Sequence, residues 1–352
     1  VSDAFWKGRR VFLTGHTGFK GGWLAVMLER LGAVVTGYAL PPEGDRSLFA
    51  SARVDRHCRS VLGDIRDLAA LRAAVAAAAP EVVLHLAAQS LVLTSYERPL
   101  DTFSTNVVGT ASVLEAAREA ASVRAVVVVT SDKVYKNREW QWGYRENDEL
   151  GGRDPYSSSK ACTELVAASY RDSFLAGRGI ALATARAGNV IGGGDWAANR
   201  IVPDFVRATI AGEPLRVRNP ASTRPWQHVL EPVEGYLVLA RRLLEDAKAA
   251  AVGWNFGPPP EAVQPVRRLA DDLVAAWGAG AAWRAEKVDQ PHEAGLLTLD
   301  ATKARRELGW TPRLGYERGV RATVDWYQAY ARGADCEAKT IEQVDAYLAS
   351  AS

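Results

Sequence analysis

The chain of 352 residues is long enough for one large domain or two modest lobes. Its 48% hydrophobic and 24% charged residues form a core-building composition that excludes wholesale disorder, collagen-like repeats and coiled coil. The 43 basic and 41 acidic residues leave a net charge of +2, with no broad electrostatic footprint for nucleic acid or an anionic membrane.

Along the first 130 residues, apolar runs of strand length at Arg10–Thr14, Val34–Tyr38, Val82–Leu86 and Ala125–Val129 read as buried parallel strands. Helical stretches lie between them at Gly22–Leu31, Leu68–Ala78 and Asp101–Ala120. In the last of these, Thr105, Val108, Ser112 and Ala116 fall roughly in helical register and offer a small-residue face. A second long helix is expected from Pro155 to about Phe174, then a strand over Ile180–Arg186. Strand–helix alternation with short connections predicts an α/β fold, a doubly wound parallel sheet of the Rossmann type.

After Asn189 the character changes to Gly192-Gly-Gly194, Trp and Pro, with helices and short extended pieces and no tether. We therefore expect residues 1–188 to form a dinucleotide-binding domain. Residues 189–352 would be mainly a smaller α/β substrate lobe, with segments returning to the sheet near 228–260. There Gly253–Phe256 reads as a short strand after a helix over Pro232–Leu244.

Gly15-His-Thr-Gly18-Phe-Lys-Gly21 directly follows the first strand and opens a helix. Glycines recurring every third residue at such a turn let backbone N–H groups approach a pyrophosphate at the positive end of the helix. The spacing differs from G-x-G-x-x-G and resembles the extended short-chain dehydrogenase/reductases. No acid stands at the end of the second strand, where one would receive a ribose 2′-OH. Arg46, a few residues on, either faces a 2′-phosphate or is a solvated loop arginine, so NAD is expected and NADP stays open. Asp64 is either an acceptor for the adenine amine or the cap of the helix beginning at Leu68.

Tyr156-Ser-Ser-Ser-Lys160 opens a predicted helix, and an i, i+4 pair brings an ammonium near a phenol. A neighbouring cation favours the phenolate of a group that otherwise titrates near 10. Thr130-Ser-Asp-Lys-Val-Tyr135 follows a strand end, where open α/β sheets bind ligands, so Ser131, Asp132 and Lys133 should share a crevice with Tyr156. Asp132-Lys133 is an ionisable pair that plain hydride transfer does not require.

With these residues in view, the sequence resembles the nucleotide-sugar 4,6-dehydratases, and within them the group acting on CDP-glucose. That group carries Ser-Asp-Lys where the dTDP-glucose enzymes carry Thr-Asp-Glu. Further similar stretches are Gly15–Trp23, Asn137–Glu146, Arg186–Trp196, Arg224–Pro232 and Trp254–Gly257. The resemblance implies NAD held by Gly15, Thr17, Gly18, Phe19, Lys20 and Gly21, by Asp64 and Ile65, by Ala87, and by Tyr156 and Lys160. It implies Tyr156 as base at the sugar 4-hydroxyl and Asp132 as acid for the departing 6-hydroxyl. Lys133 stands either as the C5 base or as an orienting charge. Arg224 resembles a diphosphate-binding arginine; Asn189 is a candidate for a phosphate and Ser90 for the sugar, and Arg200, Arg216 and Arg218 are weaker substrate-binding candidates, each alternatively a surface charge. Trp196 and Trp226 either stack on the pyrimidine or are structural; His85 reads as core, and His16 as shaping the glycine turn. A homodimer is implied, with Leu165, Val166 and Tyr170 as its apolar positions.

Three widely spaced cysteines suggest neither disulfide framework nor zinc site, and five scattered histidines offer no metal motif. The polar start does not resemble a signal peptide, and a few residues are expected before Val1. No apolar run reaches a membrane span, so a cytoplasmic enzyme is expected, without membrane or nucleic-acid partners. Two other readings share the glycine turn: an epimerase or reductase of the same superfamily, and a dinucleotide sensor that has lost catalysis.

Overall fold

The β-branched runs of the N-terminal half form the centre of one parallel sheet in the computed structural model, which describes residues 3–286 and 296–350. Its strands are β1 (Arg10–Thr14), β2 (Val34–Ala39), β3 (Arg59–Leu62), β4 (Val82–His85), β5 (Ala125–Val129), β6 (Ala181–Ala187) and β7 (Gly253–Phe256), in the order β3-β2-β1-β4-β5-β6-β7. Every adjacent pair is parallel, with Thr14 beside His85 and Val128 beside Thr184. The order reverses between β1 and β4, the point at which such sheets open a ligand crevice at their carboxyl ends.

Helices cover both faces. Trp23, Leu24 and Met27 of α1 (Phe19–Arg30) pack on one face with α6 (Leu230–Glu245). Phe12, Tyr38 and Val126 face the other way, against Leu71 of α2 (Leu68–Ala78), Val113 of α3 (Gly109–Glu119) and Ala167 of α4 (Pro155–Tyr170). Strands buried on both faces cannot alternate polar and apolar residues, which is why they read as continuous apolar runs.

Two expectations need correction. The helix predicted over Asp101–Ala120 begins at Pro99 and passes through a π turn at Ser104–Val108 before α3. The extra residue breaks the 3.6 register, so the small-residue stripe is split: Val108 is exposed while Ser112 and Ala116 are buried. The long helix after Pro155 likewise ends in a π turn, Arg171–Leu175.

Beyond β6, α5 (Ile201–Ile210) leads into three small strand pairs: Val190–Ile191 with Gln227–His228, Leu215–Val217 with Trp283–Ala285, and Thr223–Pro225 with Val263–Pro265. After β7 come α7 (Val266–Trp277), α8 (Gly315–Ala331) and α9 (Cys336–Ala349). The last helix packs on α1, with Arg30 holding Asp345 at 2.8 Å, and Arg53 pairs with Asp335 and Glu337. Among the described residues no helix is long and apolar enough to cross a membrane.

Candidate active site

The turn between β1 and α1 is built by backbone packed on backbone. Gly15 has a φ of +83°, and a Cβ there would lie 2.7 Å from the Ala87 nitrogen. A Cβ on Gly21 would stand 2.0 Å from the Gly15 carbonyl oxygen. Gly18 precedes α1 without a side-chain cap, leaving the positive end of the helix to the crevice. Thr17 donates to the Leu40 carbonyl at 2.9 Å. His16 is buried beneath the turn, 2.7 Å from Ser60 and filling the space a Gly37 side chain would need. Burial lowers its pKa to about 4, so it shapes the turn as a neutral ring. Thr14 accepts from the Leu86 and Ala87 N–H groups and donates to His85 Nδ1, whose Nε2 meets Thr110. His85 is core.

Asp64 does not cap the next helix; Asp67 does, accepting from the Ala70 N–H at 3.0 Å. Asp64 is instead gripped by Arg66 at 2.6 Å, which holds its carboxyl below the usual range, and Arg66 also reaches Asp101. Ile65 is buried against Gly109. Arg46 is exposed, its guanidinium 6.0 Å from the Trp196 ring centroid.

At the end of β5, Ser131 adopts an extended conformation and caps the short turn Asp132–Val134, accepting from the Lys133 N–H at 3.2 Å. Its hydroxyl donates to Asp132 Oδ1 at 3.0 Å, and Lys133 Nζ lies 3.3 Å from the same oxygen. Across the crevice, Asp154 caps α4 with Pro155 in its first turn, which sets Tyr156 and Lys160 one turn apart on a buried face. Lys160 donates to the Val129 carbonyl at 3.2 Å, tying helix to strand end. The sequence-predicted Ser131, Asp132, Lys133, Tyr156 and Lys160 thus converge.

Their charges act on one another. Burial raises the Tyr156 pKa, opposed by Lys133, by a hydrogen bond with Ser131 and by Arg200. Burial would lower Lys133, but Asp132 and Tyr156 more than offset it, and it is held above its ordinary value as an ammonium. Lys160 is lowered to about 8 by burial and by Lys20. Lys20, one turn into the glycine-rich segment, is likewise lowered to about 8 by burial and Arg200, with Asp132 and Asp195 pulling the other way.

From the lobe, Arg224 is buried on its short strand, donates to the Thr223 carbonyl at 3.0 Å and acts electrostatically on Lys133. Arg200, at the start of α5, pairs with Asp195 at 2.8 Å and reaches Ser90 at 3.4 Å. Asn189 is half-buried just beyond β6; at the preceding Gly188 a Cβ would meet Asp132 Oδ2 at 3.2 Å. Arg216 does not join them: it is 58% exposed and pairs with Glu286 at 3.5 Å. Arg218 points instead to Asn199 at 3.5 Å. Trp196 packs edge-on against Tyr327 and lies 4.9 Å from Tyr330, and Trp226 is buried with its indole N–H on the Gln264 carbonyl.

Sequence reasoning missed the layer beneath. Glu164 on α4 accepts from Thr130 and Thr184 and pairs bidentately with Arg186, which continues to Tyr135 and Asn255. A charged residue inside the apolar run Ala181–Ala187 was its one visible signal. Asn106, at the π turn, exchanges hydrogen bonds with the Gln89 backbone and donates to Ser159. Asp195 had no local signal.

A family model described as GDP-mannose 4,6 dehydratase matches residues 12–323. The chain is 47% identical to the CDP-glucose 4,6-dehydratase of Salmonella typhimurium over 99% of both chains. A Streptomyces venezuelae dTDP-glucose 4,6-dehydratase solved with NAD bound superposes with a TM-score of 0.77 at 26% identity, over 93% of this chain and 99% of that one. A UDP-glucose 4-epimerase from Stenotrophomonas maltophila shares the fold, with a TM-score of 0.80 at 24% identity over 93% and 100% of the two chains.

Proposed function

The chain belongs to the GDP-mannose 4,6 dehydratase family, and from that premise we propose that it is an NAD-dependent hydro-lyase converting CDP-D-glucose to CDP-4-dehydro-6-deoxy-D-glucose. The substrate reading is carried by the near full-length identity to the Salmonella enzyme of that activity.

The β1–α1 turn fits a dinucleotide, because Gly15 and Gly21 pack backbone on backbone where a side chain would clash, and this tight turn leads into the uncapped N-terminus of α1. Gly15, Thr17, Gly18, Phe19, Lys20 and Gly21 would hold the diphosphate, Asp64 and Ile65 the adenosine end, and Ala87, Tyr156 and Lys160 the nicotinamide end. Arg46 is exposed beside the Trp196 ring, and the NAD reading is supported by the similar Streptomyces venezuelae structure solved with NAD bound. Bound there, the dinucleotide supplies a hydride acceptor for C4 and returns the hydride at C6. Arg200, Arg224 and Asn189 take the substrate diphosphate, with Ser90 at the sugar. Residues 1–188 then serve the cofactor and residues 189–352 mainly the nucleotide sugar.

Burial favours the neutral Tyr156 phenol in the free protein, and the positive nicotinamide ring, when bound, would join Lys133, Ser131 and Arg200 in favouring the phenolate. Tyr156 in that form takes the proton of the sugar 4-hydroxyl, and the resulting 4-keto group acidifies C5–H. Asp132 and Lys133 then act as one unit. In the free protein they are an ion pair; substrate that excludes water favours its neutral tautomer, a carboxylic acid beside an amine. The Lys133 amine takes the C5 proton while Asp132 protonates the departing 6-hydroxyl, and the pair is ionic again as water leaves. Lys133 returns its proton to C5 when C6 is reduced. Tyr156 passes the 4-hydroxyl proton through Ser131 to Asp132, restoring the starting state.

Leu100, Val108 and Leu165 are 84%, 56% and 62% exposed on the adjoining helical segments around α3 and α4, which supports a homodimer through that face. Val166 and Tyr170 pack inward instead.

The test is purified enzyme with CDP-glucose and NAD, followed by mass loss of one water and the alkaline absorbance of the 4-keto product. Turnover of CDP-glucose with little from dTDP- or GDP-glucose is expected. An epimer without water loss, or net NADH, would assign the chain to another reaction of the superfamily.

A further inference from the structure

Asp195 is 5% exposed, and both its carboxylate oxygens are used: Oδ1 accepts from the Ala197 N–H at 3.1 Å and Oδ2 from Arg200 Nη1 at 2.8 Å. The other Arg200 nitrogen, Nη2, reaches Ser90 Oγ at 3.4 Å, so the guanidinium spans the mouth of the crevice from the lobe to the segment beyond β4.

The loop carrying Asp195 has little freedom. A Cβ on Gly192 would meet Val229, on Gly193 the Trp326 ring, and on Gly194 Leu48, all under 3 Å. Trp23 of α1 donates to the Gly193 carbonyl at 2.9 Å, and Tyr327 of α8 donates to the carbonyl of Asp195 itself. Arg207 holds the next two carbonyls, those of Trp196 and Ala197. A buried carboxylate on so constrained a loop is a rigid anchor, whereas an arginine left alone samples many rotamers.

We propose that Asp195 is a positioning residue for substrate: anchored by α1 and α8, it holds the Arg200 guanidinium toward Ser90 and the diphosphate of the nucleotide sugar. This rests on the reading above that Arg200 faces that diphosphate. Among the described residues, Asp195, Tyr156 and Tyr327 act electrostatically on Arg200, Asp195 most strongly, and Arg200 in turn acts on Lys20.

Asp195→Asn keeps the acceptor for Ala197 and removes the charge. It should raise KM for CDP-glucose and weaken CDP binding by calorimetry, each about tenfold or more, with a smaller fall in kcat and a much smaller change in NAD affinity. Arg200→Met should do the same, and the double variant should be no worse than either single one. Additive effects, or normal KM and CDP affinity in Asp195→Asn beside an impaired Arg200→Met, overturn the proposal and leave the Arg200 reading standing. An unimpaired Arg200→Met overturns that reading, and the proposal with it. If Asp195→Asn does not fold, Asp195→Glu retains the charge on a longer arm and displaces Arg200. KM should then rise with NAD affinity retained, and an unchanged KM overturns the proposal.

Discussion

Lys20 and Lys160 show how far a crevice built for anions shifts its own cations. Both are lowered to about 8 by burial first and by neighbouring positive charge second, Arg200 for Lys20 and Lys20 for Lys160. Each is therefore charged at pH 7 and mostly neutral at pH 9, and the dinucleotide diphosphate, which falls to Lys20, prefers the charged form of that lysine. NAD affinity of the free enzyme should fall as pH rises through about 8, by up to about tenfold per pH unit. Fluorescence titrations between pH 6.5 and 9.5 measure this; Lys20→Met should weaken binding at pH 7 and flatten the slope, and a pH-independent affinity would refute the assignment. At this scale Tyr156, Lys160 and the glycines were legible because their spacing is local. Asp195 was not, because the Tyr327 hydroxyl that fixes its carbonyl and the Ser90 that its partner Arg200 reaches both lie more than a hundred residues away in the chain.

Among the elements, β5, α4 and β6 are joined by one buried network. Glu164 receives hydrogen bonds from Thr130 and Thr184 and a bidentate pair from Arg186. Glu164→Gln leaves the Arg186 charge buried without its counter-ion, and unfolding free energy should drop by about 3–5 kcal/mol, measured as a lower urea midpoint. Replacing both residues by apolar side chains should cost less; equal loss would mean that packing, not charge, stabilises the junction. Six of the seven strands were readable to within a residue or so; the edge strand β3, Arg59–Leu62, was not, since it carries no buried apolar run. The π turns at Ser104–Val108 and Arg171–Leu175 were not, since an inserted residue leaves propensity unchanged and alters only where the following side chains point.

For the whole molecule, alternation of strands and helices was enough to predict a doubly wound sheet, and Gly253–Phe256 to predict its return. Which side chains face outward required the tertiary packing: of three apolar positions expected on the face of α4, only Leu165 is exposed, while Val166 and Tyr170 meet the core. Val108→Asp combined with Leu165→Glu should give a monomer by light scattering at micromolar concentration with the fold retained by circular dichroism; an unchanged dimer would place the interface elsewhere.

The docking of α9 on α1 also matters before the protein is finished. Helix α1 leaves the ribosome about 300 residues ahead of the helix that covers it, an interval of about 15–60 s at about 5–20 residues per second. Throughout that time the nascent chain carries an uncovered apolar ridge near its start. The final docking step can follow only once α9 has itself been made, so the earliest helix of the sheet is among the last to be covered.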